Sequence, residues 1–235
     1  MIVTTESILS TIEECSITER GLQTSIGISE VGMSCQRCVI RKLAEVPKTQ
    51  MVGSWRAQLG TYVHGGLEQD LSAKFSPDDA LFEQRLQVHE YKSLTLAGSC
   101  DAFFPNEGAG FVVDWKVVGD DTLDLVRRKQ IKQQYIVQGH LYGLGWHQLG
   151  YGVSQIGIMF LPANKGNLSR DAVPFVFDWD VTVAAAALAK LEQYIDLAED
   201  IGWQELMRQH PPLAGCLSCR QYEVADNPVH DLLLR

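Results

Sequence analysis

GSCDAFFPNEGAGFVVDWK, residues 98–116, is the stretch on which the fold turns. Two runs rich in β-branched and aromatic residues flank Pro105-Asn106-Glu107-Gly108, a set that favours a tight turn. The pattern predicts two strands joined by a short antiparallel connection. Just upstream, LFEQRLQVHEY (81–91) leads through Tyr91-Lys92-Ser93 into SLTLAGSCDAFF (93–104), so three strands follow one another across 81–118. Side chains on a strand alternate between faces. Asp114 and Lys116 therefore share one face of GFVVDWKVV, one whose neighbours need not be dry, while Val113, Trp115 and Val117 offer an apolar face to a core. On the preceding strand Asp101 is in phase with Ser99 and Phe103, opposite Leu96, Cys100 and Ala102. Pairing of these two strands lets the carboxylates of Asp101 and Asp114 converge beside the Lys116 ammonium.

Helical spacing flanks this strand block. Ile8, Ile12 and Cys15 share one face over residues 5–20, and Leu59, Val63 and Leu67 recur at four-residue spacing over 56–74. The second helix carries Gly60, Gly65 and Gly66. Each costs about 1 kcal/mol relative to Ala in a helix interior, which suggests that a backbone or ligand comes close. Downstream, one long helix is expected over 122–148, with Val137, Leu141 and Leu144 on its apolar face. The strands QIGIMFLPA (155–163) and VPFVFDWD (173–180) follow, then a helix over 181–208 with an alanine run at 184–187. The order α–α–βββ–α–ββ–α describes an α/β protein with a mixed central sheet flanked by helices.

A chain of 235 residues suits one domain, with a core over about 56–180 and a small appendage from segments near 30–45 and 205–225. With 46% apolar and 21% charged residues the composition is that of a soluble globular protein. No run approaches the roughly 18 to 20 apolar residues of a membrane span. MIVTTESILSTIEEC lacks the basic start of a signal peptide, so a cytoplasmic location is expected. A net charge of −9 argues against coating of nucleic acid through bulk charge. The dense basic strip Arg127, Arg128, Lys129 and Lys132 reads, on charge alone, as a solvated helix face.

Two converging carboxylates and a lysine suit metal-assisted phosphodiester hydrolysis. Hard oxygen ligands favour Mg²⁺ or Mn²⁺, and a lysine can polarise the attacking water beside the developing charge. By spacing alone, Asp114 and Lys116 fit a surface salt bridge on an edge strand better than a catalytic pair. His64, in LGTYVHGGLE, can add an imidazole nitrogen. Gln138 and Tyr142, in QGHLYG, lie one helical turn apart on a common face.

In this order, GTYVH (60–64), GSCD (98–101), DWK (114–116) and QGHLY (138–142) resemble the G-x-x-x-H, G-x-x-D, D/E-x-K and Q-x-x-x-Y motifs of the RecB-like branch of the PD-(D/E)xK nuclease superfamily. The resemblance implies a restriction-endonuclease-like core. It implies that His64, Asp101, Asp114 and the backbone carbonyl of Trp115 hold the Mg²⁺ or Mn²⁺ and that Lys116 positions the water. Gln138 and Tyr142 would hold the lysine or the DNA backbone, with Glu68, one turn after His64, as a weaker outer candidate. The basic strip, opening the Gln–Tyr helix, becomes a candidate for DNA phosphate contacts. The implied activity is a DNA exonuclease preferring single-stranded ends, in phage or CRISPR-type processing, recombination or repair. Recombination or CRISPR adaptation proteins are the implied partners. Two rival readings are a non-catalytic nucleic-acid-binding scaffold of the same fold and a redox protein centred on cysteines.

The cysteines comprise two CxxC pairs, Cys35/Cys38 and Cys216/Cys219, with Cys15 and Cys100 on apolar faces as packing residues. Four thiolates accept either zinc or an iron–sulfur cluster, and spacing does not separate the two. SCQRCVIRKL and CLSCRQYE resemble the cysteine segments of the phage and CRISPR-associated iron–sulfur exonucleases of this superfamily. The resemblance implies a 4Fe–4S cluster clasping the N- and C-terminal segments. The two-plus-two split departs from that family's one early and three late cysteines and keeps zinc open.

Overall fold

The computed structural model describes residues 5–15, 23–49 and 54–222. In chain order its elements are α1 (Thr5–Cys15), α2 (Ile28–Val31), α3 (Gln36–Leu43), α4 (Trp55–Ser72), β1 (Leu81–Tyr91), β2 (Leu94–Phe104) and β3 (Gly110–Val118). There follow α5 (Asp120–Arg127), α6 (Gln133–Gln148), β4 (Val153–Pro162), α7 (Leu168–Asp171), β5 (Val173–Asp178), α8 (Val181–Ile201), α9 (Trp203–Gln209) and α10 (Leu217–Arg220). The chain forms two compact units. A sheet unit spans Gly27–Met33 and Leu59–Gln193, and a terminal unit draws on the described residues within Met1–Ile26, Ser34–Gln58 and Tyr194–Arg235.

The sheet runs in the order β1-β2-β3-β4-β5 and is mixed: β3 and β4 are parallel, and every other neighbouring pair is antiparallel. The three-strand block stands where its alternation and turns placed it. A parallel step needs a crossover, and α5 with α6 supplies it. The single helix expected over 122–148 is thus two. Lys129 has φ 59°, its N–H donates to Val126 O (2.8 Å), and the Gln130 N–H donates to Leu125 O (3.0 Å). That is a Schellman stop with lysine where glycine is usual. The helix expected over 181–208 is also two, broken at Gly202 with φ 82°. At the N-terminus α1 is helical as expected, but Ile8 and Ile12 are exposed. Residues 16–20 and the side chain of Cys15 lie outside the described residues.

Each face of the sheet has its own core. Leu123 and Val126 of α5 pack with Ile158 and Phe160 of β4. Phe82, Ala102 and Val113 gather Trp115, Met159 and Leu71 of α4. Burying each such large side chain contributes about 1.5–3 kcal/mol. The helix α6 can lie close to the sheet because of its glycines. A Cβ at Gly139 would stand 2.5 Å from Ile156 Cγ2, and one at Gly145 would stand 3.0 Å from Leu86 Cβ. The close approach expected at Gly60, Gly65 and Gly66 is not found, since among the described residues nothing stands within 4 Å of a Cβ there. No described helix is long and apolar enough to cross a membrane.

Candidate active site and the four-cysteine centre

Both faces of β3 are covered, so Asp114 is only 2% exposed. This corrects the expectation of an open face. The close seat of α6 brings Gln138 over the strand, and its Nε2 donates to Asp114 Oδ1 at 2.8 Å. The Lys116 ammonium lies 2.5 Å from Asp114 Oδ2. The Gln138 amide therefore serves Asp114 rather than the lysine, and it also stands 3.5 Å from the Tyr142 hydroxyl. Burial raises the Asp114 pKa to about 6; the Lys116 charge opposes the rise and the Asp101 charge adds to it. Burial, with Asp114 nearby, also holds the Tyr142 phenol well above its usual range.

Asp101 sits where the ladder between β2 and β3 gives out. That ladder runs from Phe104 opposite Phe111 to Ala102 opposite Val113. Beyond it the Asp101 side chain takes over, its Oδ2 accepting from the Trp115 N–H at 2.7 Å. The other oxygen, Oδ1, lies 3.4 Å from His64 Nδ1, projected from α4. Strict alternation fails here: Cys100 and Phe103 both meet Trp146 of α6, at 3.4 Å from its Nε1 and in a 4.3 Å ring stack. Cys100 is fully buried, as its packing role requires.

A residue overlooked in the sequence completes the group. Glu83, near the start of β1, has φ 47°, a left-handed conformation that costs a non-glycine residue about 1–3 kcal/mol. Its Oε1 stands 3.8 Å from His64 Nδ1. Ligand atoms of His64, Glu83 and Asp101 all lie within 4.8 Å of one another, close enough to share one cation. Burial works against the His64 imidazolium, but Asp101 and Glu83 outweigh it and lift the pKa to about 9. Glu68, the carboxylate expected near His64, is instead exposed. In sequence, Glu83 reads as an ordinary polar strand residue, and no motif marks it.

The basic strip lies across the break between α5 and α6 and does not open a single helix. Arg127 bonds Asp124 Oδ1 (2.9 Å) and the Asp171 carbonyl (3.3 Å). Lys132 precedes α6 as its N-cap, with its ammonium 5.7 Å from the Tyr135 ring. Lys116 stands 5.4 Å from the same ring.

In the terminal unit the two CxxC pairs adopt one local form. Cys35 and Cys216 are extended N-caps of α3 and α10, and Cys38 and Cys219 follow inside those helices. All four sulfurs lie within 4.8 Å of one another. The expected clasp of N- and C-terminal segments is therefore present as a side-chain group. Burial pushes the Cys38 thiol up strongly and Cys219 to about 11. At Cys35 burial acts the same way, but hydrogen bonds from the Leu213 and Cys38 backbone and from neighbouring thiols bring it down to about 7.

No protein-family model and no curated protein sequence matches the chain. Solved structures do. An alkaline exonuclease from Laribacter hongkongensis aligns at 12% identity over 82% of this chain and 97% of its own, with a TM-score of 0.54. The same enzyme in complex with dAMP aligns with a TM-score of 0.53 at 14% identity, over 82% of this chain and 97% of its own. A phage-related exonuclease from Haemophilus somnus aligns at 14% identity over 75% of this chain and 95% of its own, with a TM-score of 0.54. At such identities the likeness is one of fold. The mixed five-stranded sheet with its flanking helices is a fold shared with these exonucleases, in line with the α/β core that the four motifs implied.

Proposed function

We propose that this chain is a divalent-metal-dependent deoxyribonuclease that works as an exonuclease, with preference for single-stranded DNA ends. One observation carries the reading: His64, Glu83 and Asp101 can share one cation, with Asp101 hydrogen-bonded to the strand that bears the Asp114–Lys116 pair. Nitrogen and carboxylate donors of this kind fit Mg²⁺ or Mn²⁺. When bound, that ion supplies an activated water and neutralises charge developing on the phosphate. His64 and Asp101, with Asp114 and the Trp115 carbonyl, are the proposed ligands, and Glu83 joins them.

Lys116 holds a water against the scissile phosphate and stabilises the charge that develops there. Gln138, bonded to Asp114, keeps that carboxylate aimed while Lys116 reaches past it. The Tyr142 hydroxyl accepts from the same Gln138 Nε2 and helps to hold that amide in place. Arg127, Arg128, Lys129 and Lys132 offer contacts to DNA phosphates. The four cysteines form a second, separate metal centre. A cytoplasmic setting in phage or CRISPR-type DNA processing, recombination or repair, with proteins of those pathways as partners, accords with the sequence resemblance and with the exonuclease folds of the neighbours. The scaffold reading leaves the Asp114–Lys116 pair without a task, and the redox reading leaves His64, Glu83 and Asp101 without one.

The test is degradation of end-labelled linear single-stranded DNA with Mn²⁺, against the same reaction with EDTA and against circular single strands. Metal-dependent loss of the linear substrate with circles intact is the expected result. Intact linear DNA under all metals would refute the nuclease reading, and nicked circles would refute the exonuclease part of it.

A further inference from the structure

We propose that Cys35, Cys38, Cys216 and Cys219 hold one zinc ion in a closed tetrahedral site, and not an iron–sulfur cluster. Four thiolates around a single ion at about 2.3 Å stand about 3.8 Å apart, the edge of a tetrahedron of that radius. A four-iron cluster binds each thiolate to a different iron and so holds the sulfurs about 6 Å apart. A two-iron cluster lets two thiolates on one iron approach, but separates those on different irons by more than about 5 Å.

Here the Sγ atoms of Cys35 and Cys219 are 3.5 Å apart, those of Cys38 and Cys219 3.3 Å, and those of Cys38 and Cys216 3.6 Å. Each of these contacts crosses from one CxxC pair to the other. Together they link all four sulfurs, and no separation in the group exceeds 4.8 Å. The distances fit one ion and leave no interior for a cluster of irons and sulfides. A cavity beside the centre adds no such interior, since it is lined by Cys216 and Cys219 but by neither Cys35 nor Cys38.

The backbone around the thiols keeps them close by bonds of its own. Arg37 donates to the Met207 carbonyl at 2.7 Å, the Thr49 N–H donates to Gln221 O at 2.9 Å, and the Arg41 guanidinium stands 4.7 Å from the centre of the Tyr222 ring. Spreading the sulfurs to cluster distances would pull α3 and α10 apart against these contacts. Tetrahedral sulfur ligation selects zinc among the redox-inert ions. Binding releases the thiol protons and leaves four thiolates on the ion. The centre is then a clasp that neither accepts nor donates an electron.

The experiment uses the full chain, purified without oxygen from cells supplied with both iron and zinc, then dialysed against EDTA to empty the carboxylate site. Metal and sulfide content and zinc-edge X-ray absorption are measured on that sample. One zinc per chain with four sulfurs at about 2.3 Å, in a colourless protein, is expected. A mercurial thiol reagent should release that zinc stoichiometrically from the wild-type chain, a readout that needs no variant to fold. Two or four irons with inorganic sulfide would overturn the proposal, as would one iron in a coloured protein or a metal-free protein with oxidised pairs. The proposal does not rest on the nuclease reading. Asp101→Ala, which removes a proposed ligand of the other centre, should keep its zinc whether or not the wild type cleaves DNA.

Discussion

The His64–Glu83–Asp101 group and the four-cysteine group can each hold a metal, yet they are assembled in opposite ways. The cysteines come as two copies of one local device, a CxxC whose first residue caps a short helix. Three of the four are buried, and the set offers four donors to one ion, which leaves no coordination position for a substrate. The other group draws one donor from each of α4, β1 and β2, and depends on a bent strand backbone at Glu83. The side chains of His64 and Glu83 remain 28% and 26% exposed. Closed sulfur sites hold structure and open oxygen–nitrogen sites do chemistry. The contrast matches the two proposals, clasping for one region and hydrolysis for the other, and each can be broken separately.

The largest effect should come from the hydrolytic side. Asp114→Asn keeps the size of a residue that is 2% exposed, where Ala would leave a cavity, so the fold should persist. Loss of the charge facing Lys116 should lower DNA degradation by about a thousandfold, as should Lys116→Met. Zinc content should be unchanged in both. Cleavage at the wild-type rate by Asp114→Asn would remove β3 from the reaction.

Next in size is the clasp. Replacing Cys38 or Cys219 by Ser should abolish stoichiometric metal and cost several kcal/mol of stability, since structural zinc contributes about 10–16 kcal/mol of apparent binding energy in small domains. Cys100→Ala should cost about 1–3 kcal/mol through lost packing and its contact with Trp146, and leave the metal in place. Thermal melts with metal analysis compare the two. Equal losses at Cys100 and Cys38 would mean that the four-cysteine group is packing and not a metal site.

The two regions were also unequally readable from sequence. A CxxC pair is a local signal, and so is the Asp-x-Lys on β3, where period-two alternation and the Pro105–Gly108 turn set the strands. The break between α5 and α6 carries no sequence signal because Lys129, not glycine, takes the left-handed position of the stop. Gly202, with φ 82°, breaks the last long helix, but the apolar spacing runs on through it. The glycines of α4 face open space and Gly139 and Gly145 of α6 face the sheet, because a missing Cβ means close approach only where a neighbour stands, as Ile156 does against Gly139. Glu83 was invisible for a deeper reason. Its role depends on a strained φ and on a histidine from another element, neither of which leaves a trace in LFEQRLQVHEY.

That difference between a motif carboxylate and an unmarked one can be measured. Glu83→Gln should raise the Mn²⁺ concentration for half-maximal cleavage by about tenfold or more, since a residue supporting a metal site typically counts for 10–100-fold. Glu68→Gln, an exposed change, should leave that concentration within about twofold. Titration of activity with Mn²⁺ reads both. The reverse ranking would return the role to Glu68 and leave the φ of Glu83 without a function.

The smallest effect is expected where the structure altered the reading most, at the basic strip. Arg127 already spends its guanidinium on Asp124 and the Asp171 carbonyl, so Arg127→Gln should weaken DNA binding little. Lys132 differs, because its ammonium and that of Lys116 stand against the same Tyr135 ring, which ties this end of the strip to the proposed site. Neutralising Arg128, Lys129 and Lys132 together should weaken binding of single-stranded DNA and flatten its salt dependence. Each lost phosphate contact removes about 0.7 from the slope of log K against log salt for a single strand. A reduction of about 2 would count all three as contacts, and one near 0.7 would point to Lys132 alone, to be checked with the single variant. Binding is measured on the Asp114→Asn chain, so that cleavage does not distort the titration. An unchanged slope would make the strip a solvated surface around the break between α5 and α6, and would leave Lys116 as the cation that meets the phosphate.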